Sequence, residues 1–223
     1  MELTALLSGL VQLSRRAGDA IMDIYQREFD VVTKADNSPL TQADLASHEV
    51  ITRSLAKLTP DIPVLSEESG SIEAAERLSW SRYWLIDPLD GTKEFINRNG
   101  EFTVNIALID AHRPVLGIVH VPVRQKTYFG VVGEGAWLQD GSESARRIQT
   151  RQPAASIPVV VGSRSHATRE LEAYVEKKRA EHGALDFISA GSSLKLCRVA
   201  EGSADVYPRL GPTMEWDTAA GHI

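Results

Sequence analysis

The sequence holds a single cysteine, Cys197, so neither an internal disulfide nor a cysteine-rich zinc site can form within the chain. Cys197 sits in an apolar helical pattern, where a buried thiol is the ordinary reading and a catalytic one the exception. Positive charge is also short. The 24 Lys and Arg against 30 Asp and Glu leave a net charge of −6, which repels a polyanion and gives no footprint for a nucleic acid polymer. A small anion is still compatible, provided a metal ion, a helix N-terminus or a few local cations meet its charge. No apolar run approaches the roughly 18 residues needed to cross a bilayer, and Met1-Glu2 opens no basic region followed by a long apolar stretch. The expectation is a cytoplasmic protein. Missing too are a G-x-S-x-G nucleophile elbow and a P-loop, and Thr52 stands where a zincin helix beginning His48-Glu49 would place its second histidine.

What is present describes an ordinary globular chain: 223 residues, 43% hydrophobic and 24% charged, long enough to bury about seven tenths of its unfolded surface. Leu3, Leu6, Leu7, Leu10, Leu13, Ala17, Ala20, Ile21, Ile24 and Tyr25 recur near 3.6 residues and predict one long amphipathic helix. Thr41-Gln42-Ala43-Asp44 resembles a capping box, so a second helix starts there, with Leu45, Ile51, Leu55 and Leu58 on one face and Pro60 as its stop. Lys34 to Leu40 reads as polar loop. Ile62 to Leu65 and Tyr83 to Ile86 read as buried strands that end in carboxylates. Val104 to Ile109, Val115 to Val121, Thr127 to Val132 and Ala136 to Leu138, separated by turn residues, predict an antiparallel meander with Gly133-Glu134-Gly135 as one hairpin turn. Gly141 to Pro158 is polar and is taken as a junction, dividing a metal-binding subdomain at 1–145 from a C-terminal α/β subdomain at 146–223. Beyond it Val159 to Val161 and Phe187 to Ser189 read as strands, and Thr168 to Glu181 and Ser192 to Ala200 as helices.

The chemistry lies in the carboxylates, which favour hard cations such as magnesium, manganese or calcium over zinc or copper. In Trp84-Leu85-Ile86-Asp87-Pro88-Leu89-Asp90-Gly91-Thr92 a strand delivers Asp87, and Pro88 and Gly91 turn the chain so that Asp90 returns beside it with the Leu89 carbonyl exposed. A helix beginning after Gly91 would aim N–H groups and the Thr92 hydroxyl at a bound phosphate. Asp-Pro and Asp-Gly are common turn formers on their own. Here, however, Glu67 and Glu68 end the preceding strand, and adjacent like charges cost energy unless a cation or hydrogen bonds offset them.

Glu67-Glu68, Asp87-Pro88-Leu89-Asp90-Gly91-Thr92 and the late Trp216-Asp217 together resemble the inositol monophosphatase superfamily, in order and spacing, over essentially the whole chain. The resemblance implies an α/β (α+β) fold layered as an αβαβα sandwich, and a magnesium-dependent, lithium-sensitive phosphatase using two or three Mg2+ ions. It makes Glu67, Asp87, the Leu89 carbonyl, Asp90 and Asp217 the metal ligands, with Glu68 behind them. Asp44 and Thr92 fall where the family positions the attacking water, although Asp44 also serves as a capping carboxylate. Two-metal catalysis then passes the phosphoryl group directly to water without a protein nucleophile. Peripheral inner-membrane association and a homodimer are both compatible with the resemblance, and no interface is readable from the sequence.

Within the superfamily, Asp-Gly-Thr followed by Lys93-Glu94-Phe95 is similar to the 3'(2'),5'-bisphosphate nucleotidase branch, as are Gly162-Ser163-Arg164-Ser165-His166 and the stretch from Gly191-Ser192-Ser193-Leu194-Lys195 to Tyr207-Pro208-Arg209. That resemblance implies hydrolysis of the 3'-phosphate of adenosine 3',5'-bisphosphate and a link to sulfate assimilation. Gly91 and Thr92 would border the reacting phosphate, Lys195 and Arg209 would meet the second, and Ser192 or Ser193 would bond ribose or phosphate oxygens. Without that context Lys195 and Arg209 read as solvated charges, and His166 as a structural histidine rather than a contact to the base. An inositol or sugar monophosphate phosphatase with the same metal site is the rival enzyme, and a silent phosphometabolite-binding module the rival of another class. The family pattern continues beyond Asp217 through a full helix and a further strand, whereas only six residues follow Asp217 here.

Overall fold

The computed structural model describes residues 2–33, 39–152, 157–163 and 168–223. Helix α1 (Leu3–Tyr25) buries Leu6, Leu10, Leu13, Ala17 and Ile21, which is the stripe that the 3.6 period predicts. Its end is held by Arg98, whose guanidinium donates to the carbonyls of Tyr25 and Arg27. A short hairpin, β1 (Val31–Thr33) and β2 (Pro39–Thr41), leads into α2 (Gln42–Leu58). The Thr41 hydroxyl accepts from the Ala43 N–H at 3.2 Å and Asp44 accepts from the Thr41 N–H at 2.7 Å, so the capping box forms. The buried face is Ala43, Asp44, Ser47, Ile51 and Leu55, which corrects the expected one. Leu45 is 49% exposed because the six residues from Leu45 to Ile51 turn the helix through about 600°, placing the two side chains on different faces. Leu58, 43% exposed, shares the face of Ile51 but extends past the edge of the core.

Seven strands form one sheet in the order β3 (Val64–Ser66), β4 (Arg82–Asp90), β5 (Thr103–Asp110), β6 (Arg113–Val121), β7 (Lys126–Val131), β8 (Gly135–Asp140) and β9 (Arg146–Ile148). Only β3 and β4 are parallel, and the rest is the expected meander. Trp84 and Ile86 of β4 enter the core under α1 and α2, while Leu85 faces the opposite core. With both faces covered, the central strands read as unbroken apolar runs. Elements not predicted from the sequence include the β1–β2 hairpin, whose second strand takes up Pro39 and Leu40 from the loop expected over Lys34 to Leu40, the surface helix α3 (Ala74–Ser79), which buries no residue, and β9, whose residues pair only because the β8 edge is there. The sheet thus runs a few residues past the division drawn at 145.

The remaining chain makes a parallel pair, β10 (Val159–Ser163) and β11 (Asp186–Ala190), with α5 (Arg169–His182) between them in sequence. Helices α6 (Leu194–Ala200) and α7 (Glu215–His222) lie between this pair and the large sheet, α7 against β4, β5 and β6, and α6 against β10. Leu171 of α5 and Phe187 cover Gly162 on β10. The layers are therefore α1 with α2, the seven-stranded sheet, α6 with α7, the β10–β11 pair, and α5. This is the αβαβα sandwich expected. Among the described residues no helix is long and apolar enough to cross a membrane.

Candidate active site

Strand β4 pairs Asp87 with Asn105 of β5, and its next pair is Asp90 with Thr103. Two residues on β4, Pro88 and Leu89, thus oppose one on β5, Val104, so the expected turn is a bulge inside the ladder, at the point where Pro88 has no N–H to donate. In a regular strand, positions three apart face opposite sides of the sheet, and the extra residue brings Asp87 and Asp90 to the same side. The Ser47 hydroxyl clasps the bulge to α2 by donating to the Pro88 carbonyl at 2.7 Å. Gly91 follows at φ 93°, a conformation that disfavours any side chain, and α4 (Thr92–Ile96) starts after it. The Thr92 hydroxyl lies 3.3 Å from Asp44 Oδ1, while Asp44 Oδ2 caps α2. The two readings of Asp44 are compatible because each uses a different oxygen.

Asp217 arrives from the first turn of α7, where its carboxylate accepts from the Met214 N–H at 3.1 Å and the Thr213 hydroxyl at 2.9 Å. Carboxylate oxygens of Asp87, Asp90 and Asp217 lie within 4.8 Å of one another. Burial, and then the charges of Asp90, Glu67 and Asp217, push the Asp87 carboxyl well above the usual range. Burial and neighbouring Asp217 push Asp90 up to about 6, against hydrogen bonds from Ser193. Crowded carboxylates, Asp87 buried and Asp90 and Asp217 partly so, with only oxygen to offer suit a hard cation, which removes the repulsion between them. Glu67 leaves β3 with its N–H on the Ile86 carbonyl at 3.1 Å, which sets its carboxyl beside Asp87. Glu68, next in the chain, is half-buried, and its N–H donates to the Ser66 hydroxyl at 3.2 Å.

A cleft of about 230 Å³ opens beside this cluster, lined by Asp90, Gly91, Thr92, Ser192, Lys195, Arg209 and Asp217 among others. Lys195 is no solvated charge: it is 6% exposed, donates to the Ser192 carbonyl at 2.6 Å and stands 5.4 Å from the centre of the Tyr207 ring. Burial lowers its pKa, opposed by Asp90 and Glu94. Arg209 is exposed and donates to the Pro212 carbonyl at 2.5 Å. Ser193, expected on substrate, instead turns its N–H and hydroxyl to Asp90 at 2.6 and 2.5 Å, leaving Ser192 as the serine available to a ligand. Arg164, Ser165 and His166 lie outside the described residues. Two polar residues not predicted from the sequence also support the site: Asn105, and Glu101, which accepts from the Gly191 N–H at 2.9 Å and from Arg124 at 3.2 Å. The signal for Asn105 was a polar residue in the otherwise apolar run from Val104 to Ile109. Cys197 is buried in apolar surroundings that push its thiol upward, so it is unreactive.

The sequence pattern of the inositol monophosphatase family matches residues 2–223. The chain belongs to the inositol monophosphatase family. Phosphatases of this family depend on metal, and the Asp87, Asp90 and Asp217 cluster can hold one. Among relatives, the Escherichia coli protein named 3'(2'),5'-bisphosphate nucleotidase CysQ is 54% identical over 219 residues, covering 97% of this chain and 85% of its own. The Aggregatibacter actinomycetemcomitans protein of the same name is 42% identical over 222 residues, 99% of this chain and 81% of its own. The crystal structure of CysQ from Bacteroides thetaiotaomicron superimposes with a TM-score of 0.86 at 44% identity, over 99% of this inositol monophosphatase family chain and 85% of that one. An IMPase from Thermotoga maritima superimposes with a TM-score of 0.77 at 25% identity, over 97% and 80%.

Proposed function

We propose that this phosphatase hydrolyses the 3'-phosphate of adenosine 3',5'-bisphosphate, giving AMP and inorganic phosphate, and thereby clears a by-product of sulfate assimilation. The 54% identity to a protein named for bisphosphate nucleotidase carries the reading. It is supported by a cleft that joins the carboxylate cluster to cationic side chains, Lys195 and Arg209 among them. Two or three magnesium ions held by Glu67, Asp87, the Leu89 carbonyl, Asp90 and Asp217, with Glu68 behind them, would supply Lewis-acid stabilisation of the reacting oxygens.

The protein's own residues do the rest. Asp44 presents one oxygen toward the Thr92 hydroxyl, and this pair orients the attacking water and takes its proton. The other Asp44 oxygen is locked in the helix cap, so the carboxylate cannot swing away. Gly91 lets the chain pass close to the transferring phosphate, where any side chain would meet Ser192. Lys195 and Arg209 pair with the 5'-phosphate and Ser192 donates to the sugar. Measuring phosphate release from adenosine 3',5'-bisphosphate and from inositol 1-phosphate, with and without magnesium, tests this directly. Magnesium-dependent preference for the nucleotide, reduced in Lys195→Met, is expected. Preference for inositol phosphate, the reading favoured by the likeness to the Thermotoga maritima IMPase, would keep the metal site and overturn the substrate.

A further inference from the structure

Asn105 is 1% exposed on β5, opposite Asp87. Its amide nitrogen lies 2.8 Å from the Ser193 hydroxyl, 3.3 Å from the Asp90 carboxylate and 3.5 Å from the Trp216 carbonyl. Asp90 and Trp216 offer only acceptors there, which places the NH2 group toward them and the amide oxygen toward the Thr103 hydroxyl at 3.1 Å. Ser193 must then accept from Asn105. Its single hydroxyl proton is left for the Asp90 carboxylate at 2.5 Å or the Asp217 carbonyl at 2.7 Å. Asp90 comes from the β4 bulge, Ser193 from the start of α6 and Asp217 from α7. The Asn105 amide thus reaches all three segments through one side chain.

We propose that Asn105 is a positioning residue for cation binding: through Ser193 it joins the carboxylates of β4 to that of α7 in one preorganised site. The proposal rests on the metal-site reading above. A buried amide of this kind holds ligands in place without touching the ion, and losing such support typically costs about 10- to 100-fold in metal affinity.

The test is Mn2+ binding to the resting protein by electron paramagnetic resonance, beside the cation concentration for half-maximal turnover. Asn105→Leu, similar in volume and without donors, should weaken Mn2+ binding about tenfold and raise the half-maximal cation concentration in parallel. The substrate KM at saturating cation should stay within about twofold, a split that general loosening of the fold would not produce. Thr103→Val removes only the group that orients the amide and should give a smaller weakening in the same direction, which decides the matter if the Asn105 variant fails to fold. In a double-mutant cycle with Ser193→Ala, a relay predicts that the double variant binds no more weakly than the worse single variant. Wild-type affinity in Thr103→Val and Asn105→Leu, or effects that multiply in the cycle, overturns the role of Asn105 alone. Failure of the unaltered protein to bind Mn2+ overturns the metal-site reading and the proposal with it.

Discussion

Gly117 lies in β6 between Ala107 and Gly130, in a row of small residues beneath α7. A Cβ placed on Gly117 would sit 2.1 Å from the Ala220 carbonyl oxygen and 2.9 Å from its carbon, both backbone atoms that no rotamer change can move. Restoring an ordinary carbon–oxygen contact requires α7 to rise by roughly 1 Å. Asp217 is three residues earlier on the same helix, about 4.5 Å along its axis, so it shares the displacement. Gly117→Ala should therefore cost about 1 to 3 kcal/mol of stability, lowering the thermal midpoint by about 2 to 4 °C for each kcal/mol. Activity should suffer more, because a misplacement of about 1 Å at a reacting centre can cost a hundredfold in rate. Calorimetry and phosphate release across a magnesium titration measure both effects. A variant that melts lower yet turns over within twofold of wild type would refute the claim that the seat of α7 on the sheet sets the carboxylate cluster.

Asp90→Asn keeps an acceptor for Ser193 while removing one of the crowded charges. Raising an acid's pKa from 3.8 to about 6 penalises the ionised fold fully above pH 6 and not at all below about pH 4, by at most about 3 kcal/mol. The variant should thus melt higher than wild type in chelator at pH 8 while losing turnover and its stabilisation by magnesium; a lower midpoint would refute the strain. His120 behaves with the opposite sign. Burial and then Arg15 lower it to about 4, and its Nε2 has no hydrogen-bond partner among the described residues, so between pH 6.5 and 4 the unfolded chain takes up a proton that the fold refuses. That removes about 3 kcal/mol as pH falls, and His120→Gln should show a correspondingly smaller loss by chemical denaturation; an unchanged slope would refute it. Arg98→Ala removes two bonds to the end of α1 and the stacking of the guanidinium 5.4 and 5.2 Å from the Tyr25 and Phe29 ring centres. A loss of about 1 to 2 kcal/mol in urea melts is expected, with kcat unchanged.

Helix α1, the cap at Thr41 and Asp44, and the four long meander strands were legible because their signals are local: a 3.6 period, a side chain reaching three residues along, apolar runs cut by turns. The carboxylates of Glu67, Asp87 and Asp90 were legible for the same reason, since they close consecutive parallel strands. Strand β9 was not, because Arg146–Ile148 carries no apolar pattern and exists only where β8 offers an unpaired edge. The turn expected at Asp87-Pro88 became a bulge because β5 continues the ladder on the far side of it, and no residue within the motif reports the presence of β5. Local patterns thus placed Glu67, Asp87 and Asp90 at strand ends as candidate cation ligands, whereas the helix that carries Asp217 was not predicted. Tertiary structure decided that Ser193 serves Asp90 rather than a ligand, that Lys195 is buried rather than solvated, and that Asn105 lies under the cluster. The reason is separation: Asn105, Ser193 and Trp216 are 88 to 111 residues apart in pairs with Asn105, and only the packing of α6 and α7 on the sheet brings their polar atoms within hydrogen-bonding reach.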